Sequence, residues 1–242
     1  MTDMQNKDRS SEEYAAAILC GGKSIRMGQD KATMRLGGVR LADRLIREFA
    51  PCGEVLLSVR DDTQAEQIRR GFPEERDGAA GSWVPEELRF VRDEIRDRGP
   101  LAGIAASLKH CRRDWLFVTA VDLPYMDKAF ADGLLQAGRD PAGLPAQSAA
   151  GLADLTAFDV IVPCDEKGRQ QGLSAFYSKR SLPYIEACLL SGSGRVRTCL
   201  ETMRVLQIPA GRLENGMGKL QNMNTAADIP ADLPEEPGCR KL

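Results

Sequence analysis

Residues Ala15-Ala-Ala-Ile-Leu-Cys20, followed at once by Gly21-Gly22, form the stretch of sequence that decides the fold. These six residues are apolar without a break, whereas a strand with one solvated face would alternate apolar and polar side chains. The run predicts a β-strand buried on both faces, which is typical of a parallel sheet covered by helices. The two glycines indicate that the strand ends there in a turn.

Short apolar runs alternate with helical patterns through the first half of the chain. Strands are predicted at 55–59, 88–91 and 115–121, and helices at 41–49, 63–71, 101–110 and 127–137. This alternation predicts βαβ crossovers and an α/β fold with a Rossmann-like, doubly wound, mostly parallel sheet and helices on both faces. Such sheets bind ligands at the carboxyl ends of their strands, so Gly21 and Asp122 are expected on one edge.

The second half of the chain predicts a hairpin, two helices and a last strand. The hairpin arms fall at 159–164 and 172–177, the helices at 181–190 and 196–203, and the strand at 204–208. Two stretches rich in Pro, Gly or Ala, 72–87 and 138–157, are expected to be loops of the same domain. We therefore expect one domain at 14–230, with a disordered tail at 1–13 and a second tail at 231–242.

The composition of the 242 residues excludes several classes of protein. Lys and Arg total 33 against 35 for Asp and Glu, so no global positive field is available to hold nucleic acid unspecifically. The seven cysteines show no C-x-x-C pair and are expected to be reduced and mostly core-filling. No apolar run is long enough to span a bilayer, and residues 1–13 lack the apolar segment of a secretory signal. We expect a cytoplasmic protein with neither nucleic acid nor membrane as a partner.

Three cationic residues, Lys23, Arg26 and Lys31, follow the glycine pair within one short segment. Glycines remove the Cβ atoms that would keep main-chain N–H groups away from phosphate oxygens, and cations neutralise the charge of a leaving pyrophosphate. The segment therefore predicts a polyphosphate site. The alternative is an ordinary strand-to-helix turn with solvated charges.

The order Gly-Gly, Arg-Met-Gly and Asp-Lys within 19–31 resembles the L-A-G-G-x-S-x-R-M-G-x-D-K signature of the molybdenum-cofactor guanylyltransferase family. Cys20 stands where that family usually has alanine, and its small side chain is expected to pack without disturbing the turn. Asp30-Lys31 favours the guanylyl branch over related cytidylyl- and sugar-nucleotidyltransferases, which usually carry x-Lys or Pro-Lys there.

Three further blocks resemble the same family, and the resemblance runs from about residue 15 to residue 229. Asp93 with Gly99-Pro-Leu-Ala-Gly-Ile104 resembles its D-x(n)-G-P-L-A-G-I element. Val118-Thr-Ala-Val-Asp-Leu-Pro124 resembles its v-x-x-D-x-P metal site, and Leu220-Gln-Asn-Met-Asn-Thr-Ala-Ala-Asp228 resembles its closing v-x-N-x-N-T-x-x-D-L motif.

This resemblance implies a fold like that of nucleotide-diphospho-sugar transferases and a reaction assisted by Mg²⁺. In that reaction GMP passes from GTP to the phosphate of molybdopterin, pyrophosphate is released, and molybdopterin guanine dinucleotide forms. A downstream molybdoenzyme or its chaperone is a further implied partner. Cytidylyl transfer to the same cofactor is the nearest alternative.

The resemblance also implies which residues form the site. Catalytic roles fall on Arg26, Lys31 and Asp122, with Asp122 as the magnesium ligand. Binding of substrate and cofactor falls on Leu19, Cys20, Gly21, Gly22, Lys31, Asp93, Asp122 and Asn224. The alternatives are that Asp122 caps the helix near 127 and that Asp93, which would accept hydrogen bonds from guanine, is a solvated turn residue.

The acceptor side is less defined by the sequence. In the closing motif, Asn222 or Asn224 contacts either the acceptor phosphate or a metal-bound water. Ser174 is either an acceptor contact or part of a core strand. Arg195 and Arg197 either meet the acceptor phosphate or begin a solvated helix. Relatives often have an asparagine near the end of the 55–59 strand, where this chain has Ser58 or Arg60, so contacts at that point stay open.

Two other classes of protein compete with the transferase hypothesis. A P-loop NTPase is suggested because residues 17–24 miss the G-x-x-x-x-G-K-S pattern only at its first glycine. That hypothesis needs residues 17–19 outside a strand and leaves the segment 26–31 unexplained. The other class is a nucleotide-binding protein that keeps the fold without chemistry, for which Cys20 and Arg60 are the only hints.

Overall fold

A computed structural model of the chain describes residues 13–21, 30–72, 83–85, 87–95, 98–140 and 155–223. The strands of this part of the chain are β1 (Ala15–Leu19), β2 (Arg35–Leu36), β3 (Val39–Arg40), β4 (Glu54–Val59), β5 (Glu87–Arg92), β6 (Trp115–Ala120), β7 (Val160–Cys164), β8 (Ser174–Ser178) and β9 (Val205–Pro209). Its α-helices are α1 (Leu41–Phe49), α2 (Asp62–Arg69), α3 (Pro100–His110), α4 (Lys128–Arg139), α5 (Leu182–Leu190), α6 (Val196–Leu200) and α7 (Gly216–Lys219).

Seven strands form one sheet in the order β5-β4-β1-β6-β8-β7-β9. β1 pairs in parallel with both β4 and β6, and β5 continues the parallel set beside β4. β8 runs antiparallel to its neighbours β6 and β7, and β9 returns to a parallel pairing with β7. The strand order reverses between β1 and β6, and a crevice at such a point is where open α/β sheets bind ligands.

Burial along the central strands shows that both faces of the sheet are covered. Every residue of β1 and β4 is buried, although successive side chains point to opposite faces. Aromatic rings fill the core next to these strands, with Phe117 of β6 lying 5.0 Å from Phe176 of β8 between ring centroids. Such two-sided burial is the predicted property of a doubly wound sheet.

The predicted strands and helices agree with the structure to within one to three residues at most boundaries. The hairpin prediction is confirmed, because β7 and β8 pair in an antiparallel manner. The predicted helix at 196–203 ends three residues earlier, at Leu200. Ala17 to Leu19 lie inside β1 and pair with both neighbouring strands, which removes the phosphate loop that a P-loop NTPase needs at those positions.

The sequence interpretation missed two small elements. β2 and β3 form a separate ribbon whose turn, Gly37-Gly38, has φ angles of 58° and 83°. Left-handed φ at both turn positions is what a tight two-residue hairpin requires, so Gly-Gly between Leu36 and Val39 was an available signal. The four-residue helix α7 is too short to show an apolar period.

The cysteine prediction is confirmed for the part of the chain described. Six thiols are buried and unpaired there, namely those of Cys20, Cys52, Cys111, Cys164, Cys188 and Cys199. Within the same residues no helix combines the length and the apolar character that crossing a membrane requires.

Candidate active site

Four parallel strands end together at one edge of the sheet, and their last residues carry the predicted chemistry. The main chain of Cys20 donates to the carbonyl of Ser58 at 2.8 Å, and that of Val121 donates to Leu19 at 3.1 Å. The N–H of Asp93 reaches the carbonyl of Val59 at 3.4 Å. This register brings the residues after β1, β4, β5 and β6 to a common rim.

Lys31 and Asp122 meet at this rim. The Lys31 ammonium lies 3.5 Å from Oδ2 of Asp122, and the two side chains are 19% and 30% exposed. Lys31 begins a short 3₁₀ helix whose N-cap is Asp30, since Oδ1 of Asp30 accepts from the N–H of Ala32 at 2.9 Å. The first and third sequence motifs therefore converge in space, although about 90 residues separate them along the chain.

Asp122 is not a helix cap. Helix α4 is capped by Asp127, whose Oδ1 accepts from the N–H of Phe130 at 2.9 Å. The capping interpretation of Asp122 is therefore wrong. The carboxylate of Asp122 stays half-buried beside a cation at the strand end.

Met223 joins the fourth motif to this pair through its main chain. Its N–H donates to the carbonyl of Asp122 at 2.8 Å, and its own carbonyl accepts from Lys31 at 3.1 Å. The Met223 side chain is only 3% exposed, so the segment is held by packing as well as by these bonds. The motif predicted roles for Asn222 and Asn224. It gave no sign that Met223, between them, binds Asp122 and Lys31 through its main chain.

Asp93 lies in a crowded polar pocket at the ends of β4 and β5. The Ser58 hydroxyl donates to its Oδ1 at 2.9 Å. Gly103 faces the same place, because a Cβ there would stand 2.5 Å from the Ser58 oxygen and 3.3 Å from Oδ1 of Asp93. Only glycine lets α3 approach this closely. A Cβ on Gly21 would likewise stand 3.3 Å from Oδ2 of Asp93.

The Asp93 carboxyl titrates abnormally in this environment. Burial raises its pKa above the ordinary value of an aspartate, and the hydrogen bond from Ser58 opposes that rise by favouring the charged form. The residue is thus not the freely solvated turn aspartate of the alternative interpretation.

Ser58 and Arg60 are the two residues near the position where relatives often have an asparagine, and they have different partners. Ser58 is 1% exposed and orients Asp93. The Arg60 guanidinium points to other carboxylates, with Nε 3.1 Å from Oδ2 of Asp61 and Nη2 3.6 Å from Oδ2 of Asp30. Where this chain departs from the family pattern, Ser58 therefore contacts Asp93, and Arg60 contacts Asp61 and Asp30.

Cys20 contributes to the site through its main chain. Its side chain is 2% exposed, and burial raises the pKa of the thiol, so the group is neutral and acts as a core side chain. Leu19, the last residue of β1, is 8% exposed. The Cys20 side chain packs in the core, while the turn after Gly21 lies outside the described residues.

Several predicted site residues are not brought to this rim or lie outside the described residues. Gly22, Arg26 and Asn224 belong to the second group. Ser174 is 1% exposed within β8, opposite Thr119, which fits a core strand. Arg195 and Arg197 are exposed at the start of α6, and Arg197 approaches Glu201 at 4.0 Å, which fits a solvated helix start. Asn222 is exposed next to Met223.

Two cavities are lined by the segment that leads into Met223. One, of about 360 Å³, lies between the β7–β8 turn and the segment 217–221. The other, of about 330 Å³, lies between residues 124–127, α1 and residues of 215–221. Gln221 lines both cavities, so both lie close in the chain to Met223, although neither Lys31 nor Asp122 lines them.

The described side chains supply too few ligands to hold a metal ion without help from substrate or water. Among the described residues, no three His, Cys, Asp or Glu side chains are grouped closely enough to hold an ion by themselves. Asp122 is a single, partly exposed carboxylate at the rim. This arrangement suits Mg²⁺, which usually keeps several waters and takes its other ligands from substrate phosphates.

Known proteins resemble this chain over most of its length. Residues 16–205 match the family model described as the MobA-like NTP transferase domain. The probable molybdenum cofactor guanylyltransferase of Methanosarcina mazei is 29% identical over 231 residues, covering 93% of this chain and 92% of that protein. The protein of the same description from Mycolicibacterium paratuberculosis is 30% identical over 227 residues, covering 91% and 95%.

Solved structures share the fold. The molybdopterin-guanine dinucleotide biosynthesis protein A of Archaeoglobus fulgidus superposes with a TM-score of 0.67 at 23% identity, covering 89% of this chain and 94% of that one. The 2-C-methyl-D-erythritol 4-phosphate cytidylyltransferase of Thermus thermophilus gives 0.55 at 14% identity, covering 90% and 95%. The predicted nucleotide-diphospho-sugar transferase-like fold is thereby confirmed.

The fold and these matches define an enzyme of the nucleotidyltransferase class. More closely, the chain belongs to the family of MobA-like NTP transferase domains.

Proposed function

We propose that this enzyme transfers GMP from GTP to the phosphate of molybdopterin, with release of pyrophosphate. The observation that carries the proposal is the convergence of Lys31, Asp122 and Met223, which joins three separate family motifs at the carboxyl edge of the sheet. The descriptions of the Methanosarcina and Mycolicibacterium relatives support the choice of guanylyl donor and molybdenum-cofactor acceptor.

The chemistry needs alignment more than proton transfer. A phosphate oxygen of the acceptor is already anionic, so it attacks the α-phosphorus of GTP in line without a protein base. The task of the protein is to bring two polyanions together and to offset their repulsion. Lys31 is placed for this at the rim, and the sequence motif adds Arg26 as a second cation.

Asp122 is the proposed protein ligand of Mg²⁺. When bound, the ion would neutralise phosphate charge and polarise the oxygens of the reacting phosphate. Lys31, 3.5 Å from the same carboxylate, keeps the Asp122 side chain at the rim and limits its rotation. The remaining ligands would come from the nucleotide and from water.

The acceptor is proposed to lie on the β8 side of Asp122. The cavity of about 360 Å³ there is lined by the β7–β8 turn and by residues just before Asn222. Asn222 is exposed and directly follows Gln221, which lines this cavity, and Asn224 comes next in the motif. Either amide would serve as a donor to the acceptor phosphate.

A nucleotide panel tests the proposal directly. The protein is incubated with Mg²⁺, molybdopterin and one of GTP, CTP, ATP or UTP, and the dinucleotide product is identified by mass. We expect product from GTP, formed in step with pyrophosphate. Product from CTP in preference to GTP would replace guanylyl by cytidylyl transfer, and triphosphate hydrolysis without any dinucleotide would refute the transferase proposal.

Asp93 is proposed to accept hydrogen bonds from the N–H donors of guanine, which predicts a pH dependence of GTP affinity. The ionised carboxylate accepts such bonds through both oxygens, whereas the protonated form turns one oxygen into a donor, so affinity should fall as the pH drops through a pKa that burial has raised above the ordinary aspartate value. Ser58→Ala removes the bond that favours ionisation. The variant should therefore lose affinity at a higher pH than the wild type, which calorimetric titrations from about pH 4 to about pH 8 would measure.

Ser107→Ala is the matched control for this experiment. Ser107 is also fully buried, on α3, and its hydroxyl has no hydrogen-bond partner among the described residues. Its replacement should leave the pH midpoint unchanged. An unchanged midpoint in Ser58→Ala would contradict the role of Asp93 in base recognition.

A further inference from the structure

The side chain of Gln64 is a fully buried amide close to the nucleotide motif, and no family motif includes it. It lies on the first half of α2 and has no solvent exposure. Its Nε2 donates to the carbonyl of Cys20 at 2.9 Å and to Oδ2 of Asp30 at 2.6 Å. Its Oε1 accepts from the N–H of Arg60 at 2.8 Å. The nitrogen and the oxygen of the amide are therefore both engaged.

These partners allow only one orientation of the Gln64 amide. The two atoms facing Nε2 are both acceptors, a carbonyl and a carboxylate oxygen, while the atom facing Oε1 is a main-chain donor. A flipped amide would oppose oxygen to oxygen on one side and N–H to N–H on the other. The geometry therefore demands a side chain with a donor and an acceptor at fixed places.

The partners of Gln64 stand at the two ends of the nucleotide motif. Cys20 immediately precedes its glycines, and Asp30 immediately precedes Lys31. Asp30 uses its other carboxylate oxygen to cap the 3₁₀ helix that begins with Lys31. A connected path thus runs from Gln64 through Asp30 to the cation that meets Asp122.

We propose that Gln64 is a positioning residue for nucleotide binding: its amide fastens Cys20 and Asp30 to each other and so sets where Lys31 stands. This inference rests on the proposed function, which makes the rim a site for a nucleoside triphosphate. Gln64 itself lies beneath the rim and touches neither substrate. A displacement of Lys31 by a fraction of an ångström weakens its interaction with phosphate, because charge stabilisation requires the cation to stand in place beforehand.

Gln64→Leu tests the inference, with Gln67→Leu as the matched control. Gln67 lies on the same helix, nearly one turn further on, and its side chain is exposed. We expect Gln64→Leu to raise the Kd for GTP roughly fivefold and to lower kcat/KM by about tenfold, while the control changes neither. Affinity is measured by calorimetry well below the unfolding temperature of each variant, so that loss of folded protein does not enter.

A double-variant cycle separates positioning from general stabilisation. Gln64→Glu places a carboxylate against that of Asp30, and Asp30→Asn places an amide NH₂ against the amide NH₂ of Gln64. Each single variant should weaken GTP binding. When the two substitutions are combined, the new asparagine can donate to the new glutamate, and an asparagine oxygen still caps the 3₁₀ helix. A glutamate oxygen still faces the carbonyl of Cys20 in the double variant, so we expect it to regain only part of the affinity that Gln64→Glu loses and to bind GTP more tightly than that single variant.

Additive losses in this cycle, or wild-type affinity in Gln64→Leu, would overturn the inference. A merely structural Gln64 would lower the melting temperature while leaving the GTP affinity of the folded protein unchanged. Wild-type protein that binds GTP but forms no dinucleotide would contradict the proposed transfer and leave the affinity test valid. Wild-type protein that binds no nucleoside triphosphate would overturn both.

Discussion

Asp122→Asn should lower the rate of dinucleotide formation on the order of a thousandfold, the largest single effect that we expect in this protein. The substitution keeps the size and the main-chain contacts of the residue, including the bond from Met223 to its carbonyl. It removes the negative charge through which the residue would hold Mg²⁺. The measurement is single-turnover formation of product from GTP over a range of Mg²⁺ concentrations.

Stability should change little in the same variant. The ion pair with Lys31 is partly exposed and 3.5 Å long, so its loss should cost less than about 1 kcal/mol of unfolding free energy. Asp114→Asn is the control, since Asp114 is an exposed aspartate before the opposite end of β6. Transfer at the wild-type rate by Asp122→Asn, at every Mg²⁺ concentration, would remove Asp122 from the site.

Lys31→Met should lower kcat/KM for GTP by roughly a hundredfold, because a cation that offsets phosphate charge is replaced by an apolar chain of similar length. The Lys31 ammonium is 19% exposed and already oriented by the carbonyl of Met223 at 3.1 Å and by Asp122. It therefore needs little reorganisation to serve a phosphate. Steady-state kinetics with GTP varied at saturating molybdopterin would measure the loss.

Lys179→Met is the matched control for Lys31. Lys179 is exposed after β8, at the amino edge of β6, where its N–H bonds the carbonyl of Asp114. Its replacement should leave the kinetics unchanged. If both lysine variants behaved alike, the effect on GTP would be one of overall charge, and the special role of Lys31 would be refuted.

The local features of this fold could be predicted because their causes are local. Six consecutive apolar residues ending in two glycines define β1. The cap of α4 also has a local cause, Asp127 three residues before Phe130, although the residue considered for that cap from the sequence was Asp122. The hairpin of β7 and β8 follows from two apolar runs around a polar turn. Boundaries shifted where the ends of helices depend on packing, as at Leu200.

The family motifs identified most of the candidate site without showing how it is assembled. Lys31, Asp93 and Asp122 stand in recognisable segments, and parallel strands bring their ends to one edge. The residues that surround them, Ser58 and Gln64 among them, belong to no recognised motif. In the sequence, Ser58 is an ordinary strand residue and Gln64 is one of several polar residues in a helix. In the structure, both are buried at the site.

The sequence by itself determined the strand and helix pattern, the parallel sheet and the edge at which the glycines and Asp122 lie, because these depend on periodicity and on short motifs. Tertiary structure alone decided that Met223 binds Lys31 across 192 residues, that Ser58 orients Asp93 across 35, and that Gln64 reaches Cys20 across 44. The physical reason is that a hydrogen bond forms over about 3 Å of space, whatever the separation along the chain.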